Sequence, residues 1–191
     1  MAALAALAAL IVGAAASTNN NIATKTTLGI HQLGCAQPAP LWLEAQSVPA
    51  ASLVPCLHAM PPGWTLADVA VNDGRSILTL NNDRSGVGAM VVRLAGACDP
   101  AGATPVPSPQ AGVRRYERVE RLSPRFGATQ FDVFAGGCVT TRLAAPAAHR
   151  AELTSETQLI LGFVSRATLR QALEVRSAGR LHLDPEGAEG P

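Results

Sequence analysis

The sequence predicts an α+β domain: one antiparallel sheet of about six strands, two C-terminal helices packed on one of its faces, and an N-terminal hydrophobic helix ahead of both. Three observations predict it. Strand-length apolar segments separated by Asn, Asp, Gly and Pro fill the middle of the chain. Helical spacing is confined to its end, and a charge-free run dominated by Ala and Leu opens it. Strands followed by helices, rather than alternating with them, argue against a parallel sheet.

The opening run comes first. Residues Met1 to Thr24 carry no charged side chain. As a helix, Met1 to Ala16 would span roughly 24 Å, short of the ~30 Å hydrocarbon core of a bilayer. Two readings fit. One is a signal peptide cleaved near Ala16, because Ala14-Ala15-Ala16 before Ser17 satisfies the small-residue rule. The other is an uncleaved anchor extended towards Ile22. No basic residue precedes the run and the first charge, Lys25, follows it, so charge bias does not set an orientation. Gln32-Leu33-Gly34-Cys35 is not a lipid-attachment box: Gln32 stands where a leucine is expected, and the apolar run ends too far upstream. The expected organisation is a signal peptide or membrane anchor over 1–24, a linker over 25–40, an extracytoplasmic α+β domain over 41–184 and a disordered tail over 185–191.

The segment Ala36 to Pro62 holds six prolines, and a short helix around Cys56, within Ala50 to Met60, is expected there. Next, Val69 and Val71, then Ile77, Leu78 and Leu80, flank Asn72-Asp73-Gly74, a hairpin signal because these residues tolerate positive φ. Asn81 to Gly86 is a second turn and Val87 to Leu94 a third strand. Pro100 to Gly112 is a proline-rich surface loop. Val113 to Leu122, Thr129 to Phe134 and Cys138 to Leu143 read as further strands, with Gly136-Gly137 a turn between the last two. Ala147 to Leu161 follows Pro146 and reads as a helix. Ser165 caps a second one, Arg166 to Ala178, with Gly179 at its C′ position. Leu181 and Leu183 are read as a short terminal strand.

Four cysteines, Cys35, Cys56, Cys98 and Cys138, allow three pairings. An even count after an export segment favours disulfides, with Cys35–Cys56 and Cys98–Cys138 the preferred set. Zinc is the sharper alternative: His31, Cys35, Cys56 and His58 are chemically adequate for a tetrahedral site, though the spacing matches no standard finger. Free thiols in a cytosolic protein are the third reading.

No catalytic motif is present. Gly-x-Ser-x-Gly, the P-loop, Gly-x-Gly-x-x-Gly and His-Glu-x-x-His are absent, and no cofactor is implied. Asn82 to Gly86 lacks the alternating oxygens and distal glutamate of a calcium loop. A hydrolase would need His58 or His149 beside an Asp or Ser in one cleft. Arg114, Arg115, Arg118, Arg121 and Arg125 surround Tyr116, against Glu117 and Glu120, and form a candidate site for an anionic surface. The competing reading is a charge-protected edge strand. The net charge of +1 provides no global field towards nucleic acid, which is not expected as a partner. Trp64 is expected as a lid on the core, and Trp42, if exposed, as an interface anchor.

Pro55-Cys56-Leu57, Met60-Pro61-Pro62-Gly63-Trp64 and Phe131-Asp132-Val133-Phe134-Ala135-Gly136-Gly137-Cys138-Val139-Thr140 resemble actinobacterial membrane-anchored extracytoplasmic proteins of unknown function. The likeness spans roughly Gly34 to Pro185. It implies export and a paired-cysteine domain, and it implies no activity and no site. The expectation is therefore a non-catalytic cell-envelope domain, membrane-tethered or secreted, that binds or scaffolds an envelope protein or an anionic polymer. The alternatives are a small envelope hydrolase and a cytosolic protein with free thiols.

Overall fold

The computed structural model describes residues 34–36 and 38–184. The expected anchor or signal segment over 1–24, His31 and the expected tail over 185–191 lie outside the described residues. The described chain begins at Gly34, which bridges Leu57, and continues into α1 (Pro38–Ser47) and β1 (Leu53–Leu57). Pro38 takes the first helical position, where its missing N–H costs nothing. This helix occupies the end of the expected linker and the start of the domain. The helix expected around Cys56 is instead β1. Leu53-Val54-Pro55-Cys56-Leu57 is buried along its whole length, which a one-sided helix would not allow, and its pairing through a single partner strand tolerates Pro55.

Turn chemistry builds the large sheet. β2 (Trp64–Asn72) and β3 (Arg75–Asn82) meet at Asp73-Gly74, where Gly74 has φ of 75°. β4 (Gly86–Ala95) follows the second turn, in which the Asn82 side chain accepts from the backbone N–H groups of Arg84 and Ser85. The proline-rich loop contains one short strand, β5 (Thr104–Val106), and leads to β6 (Arg114–Arg121), β7 (Arg125–Phe134) and β8 (Gly137–Pro146). These form one antiparallel sheet of seven strands in the order β2-β3-β4-β8-β7-β6-β5, one more than expected. The β4-to-β5 connection must therefore cross three strands.

The chain then enters a 3-10 turn (Ala147–His149) and α2 (Arg150–Ile160). Leu161–Ser165 forms β9, which pairs antiparallel with β1 in a separate two-stranded sheet. α3 (Arg166–Arg176) starts at the expected cap: the Ser165 hydroxyl accepts from the Thr168 N–H at 3.0 Å. Its far end differs by one residue from the expectation. Gly179 N–H bonds to the Glu174 carbonyl and Ala178 N–H to the Val175 carbonyl, a Schellman arrangement that puts Ala178, with φ of 52°, at C′ and Gly179 after it. Residues 181–184 add no strand. Leu183 is buried, and the Trp42 indole N–H donates to the His182 carbonyl at 3.2 Å.

Strand alternation gives the large sheet two unlike faces. One carries Leu78, Leu80, Met90, Val92, Leu94, Val139 and Leu143, all buried, and packs beneath the helices. α1 packs on β2, β3 and α3, and α2 packs on β8 and β9. Trp64 closes this core at 3% exposure, its indole N–H donating to Glu156 Oε2 at 2.6 Å. Glu44 of α1 is fully buried on the same side. Its Oε2 accepts from the Ser76 hydroxyl at 3.2 Å, and its Oε1 has no partner. Burial pushes its carboxyl up to about 8, against the opposing effect of the Ser76 bond. Among the described residues, no helix packs on the other face of the sheet.

Candidate functional site: the open sheet face and a cleft under the second helix

Register decides what the open face displays. Val92 and Leu94 point into the core, so Arg93 between them points out. The row through Arg93 runs Ile77, Arg93, Thr140, Phe131 and Tyr116 across β3, β4, β8, β7 and β6. The next row runs Thr79, Val91, Arg142, Thr129 and Arg118. Arg75 and Arg114 end a third row, which passes through Ala95, Cys138 and Val133. Arg121 pairs with Gly127, which shares the face of Thr129 and Phe131, and so joins this face. Arg125 alternates with the buried Phe126 and joins the same face.

The strands of this face thus carry Arg75, Arg93, Arg114, Arg118, Arg121, Arg125 and Arg142. Their only carboxylates among the described residues are Asp68, opposite Thr79, and Glu120, which accepts from the Thr129 hydroxyl at 2.7 Å. Arg118 lies 3.9 Å from Glu120 and stacks 5.1 Å from the Phe131 ring centre. Among the described residues, the other six arginines have no carboxylate within ion-pair distance. A net charge of +1 conceals this segregation.

Of the five arginines singled out in the sequence, the structure brings Arg114, Arg118, Arg121 and Arg125 to this face and sends Arg115 to the opposite one. Alternation along β6 requires that separation. Arg75, Arg93 and Arg142 were missed. Each is the lone charge, at an outward position, of an otherwise uncharged strand, a signal that period-2 reading of β3, β4 and β8 contains.

The β4-to-β5 connection straps part of this face. Cys98 on it is bonded to Cys138 on β8, with Cα atoms 5.8 Å apart, and Arg118 Nη1 donates to the Ala101 carbonyl at 3.0 Å. Phe131 and Cys138 lie beneath and are buried. The second disulfide joins Cys35 to Cys56, with Cα atoms 5.0 Å apart, and packs against Gly162 of β9. Both disulfides are consistent with an extracellular domain. The Cys35–Cys56 bond also consumes the two thiolates that a zinc site with His31 and His58 would need, so that alternative does not stand. His58 is exposed beyond β1, and His149 Nδ1 lies 3.7 Å from Glu152 Oε2. Among the described residues neither imidazole bonds to a Ser or Asp side chain. No helix among them is long and apolar enough to cross a membrane.

Arg115 helps form a different feature. On the helix side of β6 and β7, α2 leaves a cavity of about 400 Å³, lined by Pro107, Ser108, Pro109, Arg115, Gln130, Thr157, Gln158 and Leu161. Arg115 Nε donates to Asp132 Oδ1 at 2.6 Å, and Gln130 Nε2 donates to Asp132 Oδ2 at 2.6 Å. The Asp132 side chain is wholly buried and that of Arg115 is 11% exposed.

No protein-family model matches the chain, and no curated protein does. A solved crystal structure of a protein from Bacteroides thetaiotaomicron VPI-5482 is similar over 62% of this chain and 47% of that one, at 12% identity and a TM-score of 0.32. The chain therefore spans less than half the length of that protein.

Proposed function

We propose that the protein is a non-catalytic cell-envelope domain that docks an anionic polymer on its open sheet face. The observation that carries this reading is the seven-arginine face itself, with two carboxylates on its strands and apolar patches at Ile77, Val91 and Val133 between the charges. Edge protection alone would place cations on β2 and β5, the edges of the sheet, whereas Arg93 and Arg142 stand on its central strands. Strands lie ~4.8 Å apart and alternate residues ~6.8 Å apart, so the diagonal Arg75–Arg93–Arg142 advances in steps of roughly 8 Å. A chain of repeating phosphate or carboxylate groups meets such a stripe at several points at once. The N-terminal segment supplies the tether, or is removed near Ala16 in a secreted form; the likeness to actinobacterial extracytoplasmic proteins supports export in either case.

The test is binding of a poly(glycerol phosphate) chain, measured by calorimetry over a salt series. The expected result is affinity that falls steeply with ionic strength and drops about tenfold, or ~1.4 kcal/mol, for each of Arg93→Glu and Arg142→Glu. Affinity unchanged in both variants would overturn the proposal. Selective binding to anionic vesicles, or to an envelope protein, with no affinity for the polymer would also overturn it.

A further inference from the structure

We infer that the cleft between α2 and strands β6 and β7 is a second, independent binding site, for a small neutral ligand that carries a secondary amide. The cavity, of about 400 Å³, is at the lower end of the range for ligand sites. A smaller pocket of about 60 Å³, lined by Glu117, Val119, Phe126 and Ala128, continues it and shares Gln130, Thr157 and Gln158 with it. Its wall is apolar at Pro107, Pro109 and Leu161 and polar at a few fixed points.

Those points define the ligand. Asp132 can only accept hydrogen bonds. It holds Arg115 through Nε, which leaves both terminal guanidinium nitrogens without a partner among the described residues. It also holds Gln130 through Nε2, which turns the carbonyl oxygen of that amide away from Asp132 as an acceptor without a partner among the described residues. Both side chains are oriented by one buried carboxylate, so the cleft presents a preset pair of strong donors beside an acceptor. The Gln158 amide, also without a partner among the described residues, lines the cleft from α2.

Charge then narrows the choice. Asp132 neutralises Arg115 at 2.6 Å, and Glu117, opposite Gln130 in the β6–β7 register, adds a further carboxylate. An anionic ligand meets net repulsion, and a cation meets the guanidinium. A secondary amide satisfies both sides without a charge: its carbonyl accepts from Arg115 and its N–H donates to Gln130. An N-acetylated sugar and a short peptide both carry that group, and both fit the volume.

The experiment is a titration of the ¹⁵N-labelled protein followed by heteronuclear NMR, with three probes: an N-acetylglucosamine disaccharide, a blocked alanine tripeptide, and cellobiose, which lacks the amide. The expected result is shifts of the Arg115 Nε–H and of the Gln130 and Gln158 side-chain amides with one of the first two probes, at a Kd in the range of about 1 mM or tighter. The responding probe identifies the source of the amide. Gln130→Met removes the acceptor at nearly constant volume and is expected to weaken binding at least tenfold. Gln158→Ala, at an exposed helical position, is expected to weaken it several-fold and leaves the Arg115–Asp132 pair untouched. Cellobiose binding as well as the disaccharide, no shift at these groups up to about 10 mM of either amide probe, or full affinity in both variants would overturn the inference.

Discussion

Replacing Glu44 with glutamine should stabilise the protein, and by an amount that depends on pH in one direction. Glu44 is fully buried, and one of its oxygens has no partner. Its carboxyl is raised from an ordinary 4.5 to about 8 by burial, opposed by the Ser76 hydrogen bond. Between those two values the folded protein keeps a proton that the unfolded chain has released. Its stability therefore falls as pH rises, by about 1.4 kcal/mol per unit. The contribution is complete below pH 4.5, about 3 kcal/mol of it is lost by pH 7, and the full loss of ~5 kcal/mol is reached above pH 8. Glutamine has the same shape and no proton to lose. The assay is urea unfolding of wild type and Glu44→Gln at closely spaced pH values from 4 to 9. The difference between them should be near zero at the acid end and grow to about 3 kcal/mol at pH 7. A difference that is constant across this range would refute the reasoning, because it would mean that Glu44 ionises in the folded state as it does in the unfolded one.

Three further outcomes follow from backbone geometry and cross-linking. Ala178 holds the left-handed C′ position of α3 with φ of 52°, so Ala178→Gly should raise stability by about 0.5–1 kcal/mol and the thermal midpoint by a few degrees. Gly136 has φ of 69°, and a Cβ there would run into the Ala50 carbonyl, so Gly136→Ala should destabilise by about 3 kcal/mol or more in chemical denaturation. Removing the Cys98–Cys138 cross-link, which closes a 40-residue separation, with a double Cys→Ala variant should cost about 4 kcal/mol, read from the urea midpoint.

Local chemistry in the sequence carried much of the fold, and long-range pairing accounts for most of what it did not carry. The β2–β3 hairpin was legible because Asp73-Gly74 suits its turn, and α3 because Ser165 is an N-cap residue before helical spacing. β1 and β9 were not. Each is a five-residue apolar segment, too short for periodicity to separate strand from helix, and each is a strand because of the other, about a hundred residues away. The candidate site divides along the same line. The basic run on β6 was visible, and period-2 alternation already separates Arg115 from its neighbours. Arg75, Arg93 and Arg142 become part of one face only through a strand order that puts β8 beside β4. The cleft left no local signature: Arg115, Gln130 and Gln158 are unremarkable one by one, and Asp132 orients the first two from a position that reads as an ordinary strand residue.

The last described residues are fastened to α1 on the helix side of the sheet. Gln46 Nε2 on α1 donates to Asp184 Oδ2 at 3.1 Å, and the Arg166 guanidinium of α3 reaches both the Ala45 and Asp184 carbonyls. Residues 38–48 and 181–184 are thereby fastened together behind the core, with the arginine face on the far side. The domain has a back and a front. Occupation of the arginine face would therefore leave uncovered the surface on which α1 and the last described residues are fastened together.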